Sequence, residues 1–271
     1  MHSISSKILL IILIILIGLF AYKTLHTPNP ISETVNVTVN DAPPLTETES
    51  SSQFNEKIHT IIQEYLMNNP EVIIQAVEQF QKRKMQEMES KVSGYIKDNK
   101  AEIENSPSSP TLGKLDGDII VTCFYDYNCS YCKKGDIFIT QLIKSDPNIK
   151  VILKPFPILG DSSIYAAKVA LATYKIAPEK FNTVHNGLMD MKPISKEAVE
   201  KLLLDNGLDL SKVEDEMDSR ELQNTIANNI KLAQNLKIQG VPAYVINGKL
   251  IPGMVDLNQL KKMIVDIRAE R

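Results

Sequence analysis

Two thiols stand close together in Cys129-Ser130-Tyr131-Cys132, where the apolar run DIIVTCFYDYN gives way to the helix-like stretch KKGDIFITQLIK. A helix start offers unpaired backbone N–H groups and the positive end of the macrodipole, and both favour a thiolate on the first cysteine of such a pair. Thiolates attack disulfides, so the chemistry expected here is thiol–disulfide exchange. Structural zinc asks for four ligands. The four histidines, His2, His26, His59 and His185, sit at no ligand-like interval from the pair, so no metal is expected. A purely structural disulfide is also a poor reading, because so short a bridge closes a tiny loop and stabilises little. No cofactor is expected.

The redox reading needs a compartment. Residues 1–23 carry Lys7, an unbroken apolar segment from Ile8 to Tyr22, and then Lys23, a pattern that reads as a signal peptide or membrane anchor. Its apolar part is shorter than the roughly 20 residues of a comfortable span, which favours cleavage. Leu19-Phe20-Ala21 is a poor small-x-small cleavage site, which favours an uncleaved anchor. Either form puts the remainder outside the cytoplasm, in the periplasm where a bacterium has two membranes. With 43% apolar and 23% charged residues and a net charge of −3, the composition is that of a soluble globular protein and gives no reason to expect nucleic acid. Three cysteines are too few for a disulfide scaffold, and the odd count leaves one without an intramolecular partner. Cys123, inside the apolar run, is expected to be a buried small hydrophobe, with a coupling role as the alternative.

Residues 24–53, rich in Pro, Thr, Ser, Asn and Glu, lack the apolar content for a core and read as a disordered tether. From 54 to 105 the pattern turns helical: Phe54, Ile58, Ile61, Ile62, Tyr65 and Leu66, then Val72, Ile73, Val77 and Phe80, then Met85, Met88, Val92, Tyr95 and Ile96. Asn68-Asn69-Pro70 is a stop followed by a helix start. Helices of this size bury little surface alone. They are expected to pair with a second copy of the chain, as an oligomerisation module, or to pack as a cap on the domain that follows.

After the joint Ser106-Pro107-Ser108-Ser109-Pro110, a domain is expected over 111–271. Asp118 to Tyr125 reads as a central strand, the stretch after the cysteines as a helix to Lys144, and Ile149 to Phe156 as a second strand, which makes a parallel strand–helix–strand unit. Helices fill an insertion over about 160–232. Ala243 to Ile246 and Lys249 to Ile251 flank Asn247-Gly248, the signal of a tight hairpin, and Asp256 to Arg268 closes the chain as a helix. The fold class expected is α/β with a helical subdomain inserted in a small sheet domain and a helical extension before it.

FYDYNCSYCKK, the inserted helices, Gly240-Val241-Pro242-Ala243 and the hairpin ending Ile251-Pro252-Gly253 together resemble the DsbA-like thiol–disulfide oxidoreductases, a thioredoxin-like family. YLMNNPEVI is similar to the N-terminal extension of its longer periplasmic members. The resemblance implies a protein disulfide oxidoreductase in which Cys129 is the exposed nucleophile and Cys132 its buried partner. It also implies a cis peptide at Pro242 with the Val241 backbone facing substrate, and a redox potential tuned by Ser130 and Tyr131. The partners implied are cysteine-containing exported proteins and a redox protein that resets the pair. Ser-Tyr departs from the Pro-His of the strong oxidase and Tyr131 is similar to the isomerases, whereas Val241 matches the oxidase-like pattern. Disulfide formation is therefore the first reading, an oligomeric isomerase or reductase the second, and a non-catalytic exported chaperone or surface protein a third of another class.

Overall fold

β-branched residues crowd Ile119–Tyr125 and Ile149–Pro155, and in the computed structural model, which describes residues 47–270, these become the paired central strands of a five-stranded sheet. We number the elements in chain order. The chain divides into two compact units at Asn68.

The described part of the first unit is helix α1 (Glu47–Asn68). It begins inside the stretch read as a tether, which is therefore helical over 47–53. Residues 1–46, with the signal or anchor reading and the rest of the tether, lie outside the described residues. Phe54, Ile61, Ile62, Tyr65 and Met67 are exposed on α1. Among the described residues no helix is long and apolar enough to cross a membrane.

The second unit opens with α2 (Glu71–Asp98), a single helix with Pro70 at its N-cap, and the short α3 (Lys100–Glu104). Its first part leaves Ile73, Ile74, Val77, Phe80, Met85 and Met88 exposed. Its last part behaves differently. Val92 and Ile96 of α2 and Ile103 of α3 are buried in a small core with Phe124, Phe156, Leu232, Leu236, Ile238 and Val245. Polar bonds fasten the same segment to the sheet: Thr122 Oγ1 donates to the Ile103 carbonyl at 3.0 Å, Lys150 Nζ to that of Glu104 at 3.1 Å, and the buried Lys154 Nζ to Ser109 Oγ at 3.0 Å. The end of the extension is thus a cap packed in cis on its own domain.

The sheet comprises β1 (Thr111–Gly113), β2 (Ile119–Tyr125), β3 (Ile149–Pro155), β4 (Ala243–Ile246) and β5 (Lys249–Pro252), in the order β1-β3-β2-β4-β5. β2 and β3 are parallel, with Cys123 opposite Leu153, and the crossover between them is α4 (Ser130–Ser145). β4 runs antiparallel to β2 with Tyr244 opposite Cys123. In the β4–β5 turn, Asn247 and Gly248 both take positive φ, 49° and 76°, as a type I′ hairpin requires. Among the described strands, β1 alone has no counterpart in the sequence reading; three residues are too few to show alternation.

The insertion holds α5 (Asp161–Ile176), a turn of 3-10 helix, α6 (Phe181–Asp190), α7 (Lys196–Asp205), α8 (Leu210–Met217) and α9 (Arg220–Asn235). The helical stretch after Leu210 breaks at Ser219, whose hydroxyl accepts the Leu222 N–H and starts α9. α10 (Leu257–Ala269) begins at Asp256 with a reciprocal capping box to Gln259. Apolar faces of α4, α5, α6 and α10 join Val121, Leu153, Tyr244 and Ile246 in the main core.

Candidate active site

Where β2 ends, Asp126 turns a fully buried carboxylate under the loop that leads to the cysteines. It accepts the N–H groups of Asn128 (2.8 Å), Ile158 (2.8 Å) and Leu159 (3.0 Å) and the hydroxyl of Ser163 (2.7 Å). A buried carboxylate is tolerated only when its lone pairs are filled, as they are here. The bonds join the cysteine loop to the start of α5, and Asn128 Nδ2 adds contacts to Ser162 Oγ and Ser163 Oγ. Asp126 has no thiol within its own set of donors; its role in the structure is to shape this loop.

Cys129 is the N-cap of α4, and its sulfur accepts the backbone N–H of Cys132 at 3.3 Å. That places a donor and the helix N-terminus on the first sulfur, an arrangement suited to negative charge. The Cys129 thiol also faces the Val241 carbonyl oxygen at 3.3 Å. Cys129 retains 8% of its surface and Cys132 2%. The first cysteine is therefore less exposed than expected, because the Val241 segment leans over it. Ser130 and Tyr131, between the two thiols, are exposed. The Val241–Pro242 peptide is cis.

Cys132 lies deeper. Its sulfur accepts the Asp126 N–H at 3.5 Å, yet burial outweighs that bond and pushes its thiol pKa up. Cys123 is buried in β2, and desolvation, then the charge of Asp136, push its pKa up as well. It is a thiol packed as a hydrophobe.

Lys133, next after the pair, donates from its ammonium to the carbonyls of Leu188 (3.3 Å), Met189 (2.7 Å) and Met191 (2.6 Å), closing the C-terminus of α6. Partial burial lowers its pKa. On the same side of α4, Asp136 meets His185 of α6. On the sheet side, Gly135 lets the helix approach β4: a Cβ there would lie 2.5 Å from the Tyr244 hydroxyl oxygen and 3.7 Å from the Pro242 ring. Tyr131, Ile158, Leu159 and Met254 are exposed apolar side chains, Ile158 and Leu159 in the loop tied to Asp126 and Met254 just beyond β5. Among the described residues no three His, Cys, Asp or Glu side chains converge as a metal site.

A dithiol at a helix start, beside a cis proline and on a sheet of this order, is a redox site. A family model described as a DSBA-like thioredoxin domain matches residues 120–265, which is more than half of the chain. The chain belongs to this family. A second model, described as the N-terminal domain of the copper resistance protein ScsC, matches residues 56–87. A probable disulfide bond formation protein D of Bacillus anthracis is 26% identical over 180 residues, 62% of this chain and 82% of that one. Among solved structures, a thioredoxin-like oxidoreductase from Silicibacter pomeroyi is 33% identical with a TM-score of 0.60, covering 63% of this chain and 98% of that one. A linker-deletion variant of Proteus mirabilis ScsC is 25% identical with a TM-score of 0.62 and covers 86% of this chain and 100% of that one.

As a DsbA-like protein the chain is a protein thiol–disulfide oxidoreductase with a thioredoxin-like fold. Proteins of this family act on substrate proteins and exchange with a redox partner.

Proposed function

We propose that the exchange runs through Cys129 and Cys132 in fixed roles. A substrate thiolate attacks the Cys129 sulfur of the enzyme disulfide; the Cys129–Cys132 bond breaks and Cys132 leaves as a thiolate that takes up a proton. A second substrate thiolate then attacks the substrate sulfur of the mixed disulfide and expels Cys129. The substrate gains a disulfide, and the enzyme gains two electrons and becomes a dithiol. The observation that carries these roles is the asymmetry of the two sulfurs. Cys129 sits at the helix start with a backbone donor, whereas Cys132 is desolvated and better suited to be a thiol once released. Val241 offers its backbone to the substrate strand beside Pro242, and Ser130 and Tyr131 tune the potential from the exposed side.

The compartment in this proposal is outside the cytoplasm, the periplasm in a bacterium with two membranes. Its support is the basic and apolar pattern of residues 1–23 and the likeness, at 30% identity and a TM-score of 0.57, to a periplasmic thioredoxin-like protein of Salmonella enterica. Disulfide formation in exported proteins is the first reading. The exposed apolar face of α2 favours a second, in which copies associate through residues 54–105 and act as an isomerase or reductase on misoxidised proteins. The equilibrium reduction potential against glutathione separates them. A value near the strong-oxidant end, about −120 mV, makes the chain a disulfide donor, and one near or below about −270 mV makes it a reduced-state enzyme.

A further inference from the structure

Tyr127 lies in the loop that enters the cysteine pair and Asp136 on the helix that leaves it, and both bond to one imidazole. Nδ1 of His185 is 2.8 Å from the Tyr127 hydroxyl, and Nε2 is 3.0 Å from Asp136 Oδ1. The ring is fully buried and stacks on Phe181 with centroids 5.4 Å apart and planes 26° apart. With the proton on Nε2 the chain of bonds is satisfied in one direction. Tyr125 donates to the Tyr127 oxygen at 3.1 Å, Tyr127 donates to Nδ1, and Nε2–H donates to the Asp136 carboxylate.

An apolar ring would pack beside Phe181 equally well, so packing alone does not account for a histidine here. Buried polar bonds fix relative orientation in a way that non-directional apolar contacts do not. Lys133 supplies a second attachment to the same helix, through its bonds to the carbonyls at the α6 C-terminus. Helix α6 of the insertion therefore grips α4 one and four residues beyond Cys132, at Lys133 and Asp136, and through Tyr127 it grips the loop on the other side of Cys129.

We infer that His185 is a positioning residue for thiol–disulfide exchange: it clamps the loop entering the pair to the helix leaving it, and so keeps the Cys132 N–H on the Cys129 sulfur. The inference rests on Cys129 and Cys132 being the exchanging pair. Without the clamp the N-cap geometry loosens, the reduced form loses stabilisation, and the equilibrium moves toward the disulfide.

The experiment uses the full chain with His185→Phe, which keeps a flat ring against Phe181 but makes neither bond, and His185→Gln, whose amide can accept at one end and donate at the other. The readouts are the equilibrium constant with glutathione and the rate of Cys129 alkylation by iodoacetamide at one pH, followed by mass. His185→Phe is expected to shift the constant about tenfold toward the disulfide and to slow alkylation by a similar factor, the size of one hydrogen bond to a charged group. His185→Gln is expected to recover most of both. A folded His185→Phe variant with unchanged constants overturns the inference, and so does a Gln variant no better than Phe, which would assign the effect to ring packing. If His185→Phe does not fold, Tyr127→Phe removes the hydroxyl on Nδ1 and with it the acceptor of Tyr125, so it is compared with Tyr125→Phe, which removes only the second bond; a shift about threefold beyond that of Tyr125→Phe in the same direction supports the clamp, and no difference overturns it. A wild-type pair that never equilibrates with glutathione defeats the assignment of the pair itself, an outcome distinct from these.

Discussion

The Cys129 sulfur and the Val241 carbonyl oxygen, 112 residues apart in the chain, lie 3.3 Å from each other. One belongs to the start of α4 and the other to the segment before β4, and their meeting depends on β2 and β4 being neighbours in the sheet. The contact covers Cys129 with the backbone that precedes the cis Val241–Pro242 peptide.

Replacing each cysteine separates the two roles. Cys129→Ser is expected to abolish oxidase and reductase turnover with the circular dichroism spectrum unchanged, and retained turnover would reject it as the exchanging sulfur. Cys132→Ser is expected to accumulate mixed disulfides with substrate, seen on non-reducing gels as adducts that a small thiol removes. A Cys132→Ser enzyme that forms no adducts would count against this order of events, and adducts on Cys129→Ser instead would reverse it.

Gly135 offers a test in which the usual sign of a substitution inverts. In a helix interior, Gly→Ala ordinarily stabilises by about 1 kcal/mol. Here the new methyl would meet the buried Tyr244 hydroxyl oxygen at 2.5 Å, so Gly135→Ala is expected to destabilise, by about 1–3 kcal/mol as for an overpacked core. Tyr244→Phe removes that oxygen. In the Tyr244→Phe background the Gly135→Ala penalty is expected to shrink or change sign, and a double-mutant cycle by urea unfolding measures the coupling. Independent effects at the two positions would mean that α4 and β4 adjust without cost.

Much of this was legible in the sequence, and the exceptions share a cause. Ile119–Tyr125, Ile149–Pro155 and the Asn247-Gly248 hairpin carry local signals, β-branched runs and a turn that needs positive φ. The cysteine pair is local too. The Cys129–Val241 contact depends on β4 lying beside β2, and the Lys133 and His185 bonds depend on α6 lying beside α4; no spacing within one segment carries either. His185 did leave a trace: it follows Phe181 by one helical turn on the inward face, with Val184 and Leu188, where a polar residue needs a partner. α2 read as two segments because Gln81 to Lys84 is polar, but those residues are good helix formers without Gly or Pro, and the helix continues through them.

The exposed face of α2 predicts association. Ile73, Val77 and Phe80 follow one another at four and three residues, the spacing of an apolar seam, and all three are about half exposed. Light scattering on residues 47–271 is expected to give more than one subunit, and Ile73→Lys with Phe80→Lys to give monomers that keep the redox activity of the isolated site. A monomeric wild type would remove the association and leave α2 as an extension whose last turns cap the sheet.

Lys154 makes a prediction in pH. Its side chain is fully buried on β3, bonded to Ser109 and 3.8 Å from the half-exposed Glu102. Desolvation lowers its pKa from 10.5 to about 8, and the Glu102 charge only partly opposes this. The folded state thus binds fewer protons than the unfolded state between those two values, so the slope of stability with pH is positive there. Below about pH 8 the cost of burying the ammonium is present in full; as pH rises toward 10.5 it is relieved, by up to about 3 kcal/mol. Lys154→Met has no such proton to lose. Wild type measured against Lys154→Met by chemical denaturation is expected to gain stability steadily from pH 8 to 10.5, whatever their difference at pH 7, because groups common to both cancel. A constant difference across that window would show that Lys154 keeps its ordinary protonation, held by Ser109 and Glu102 strongly enough to offset its burial.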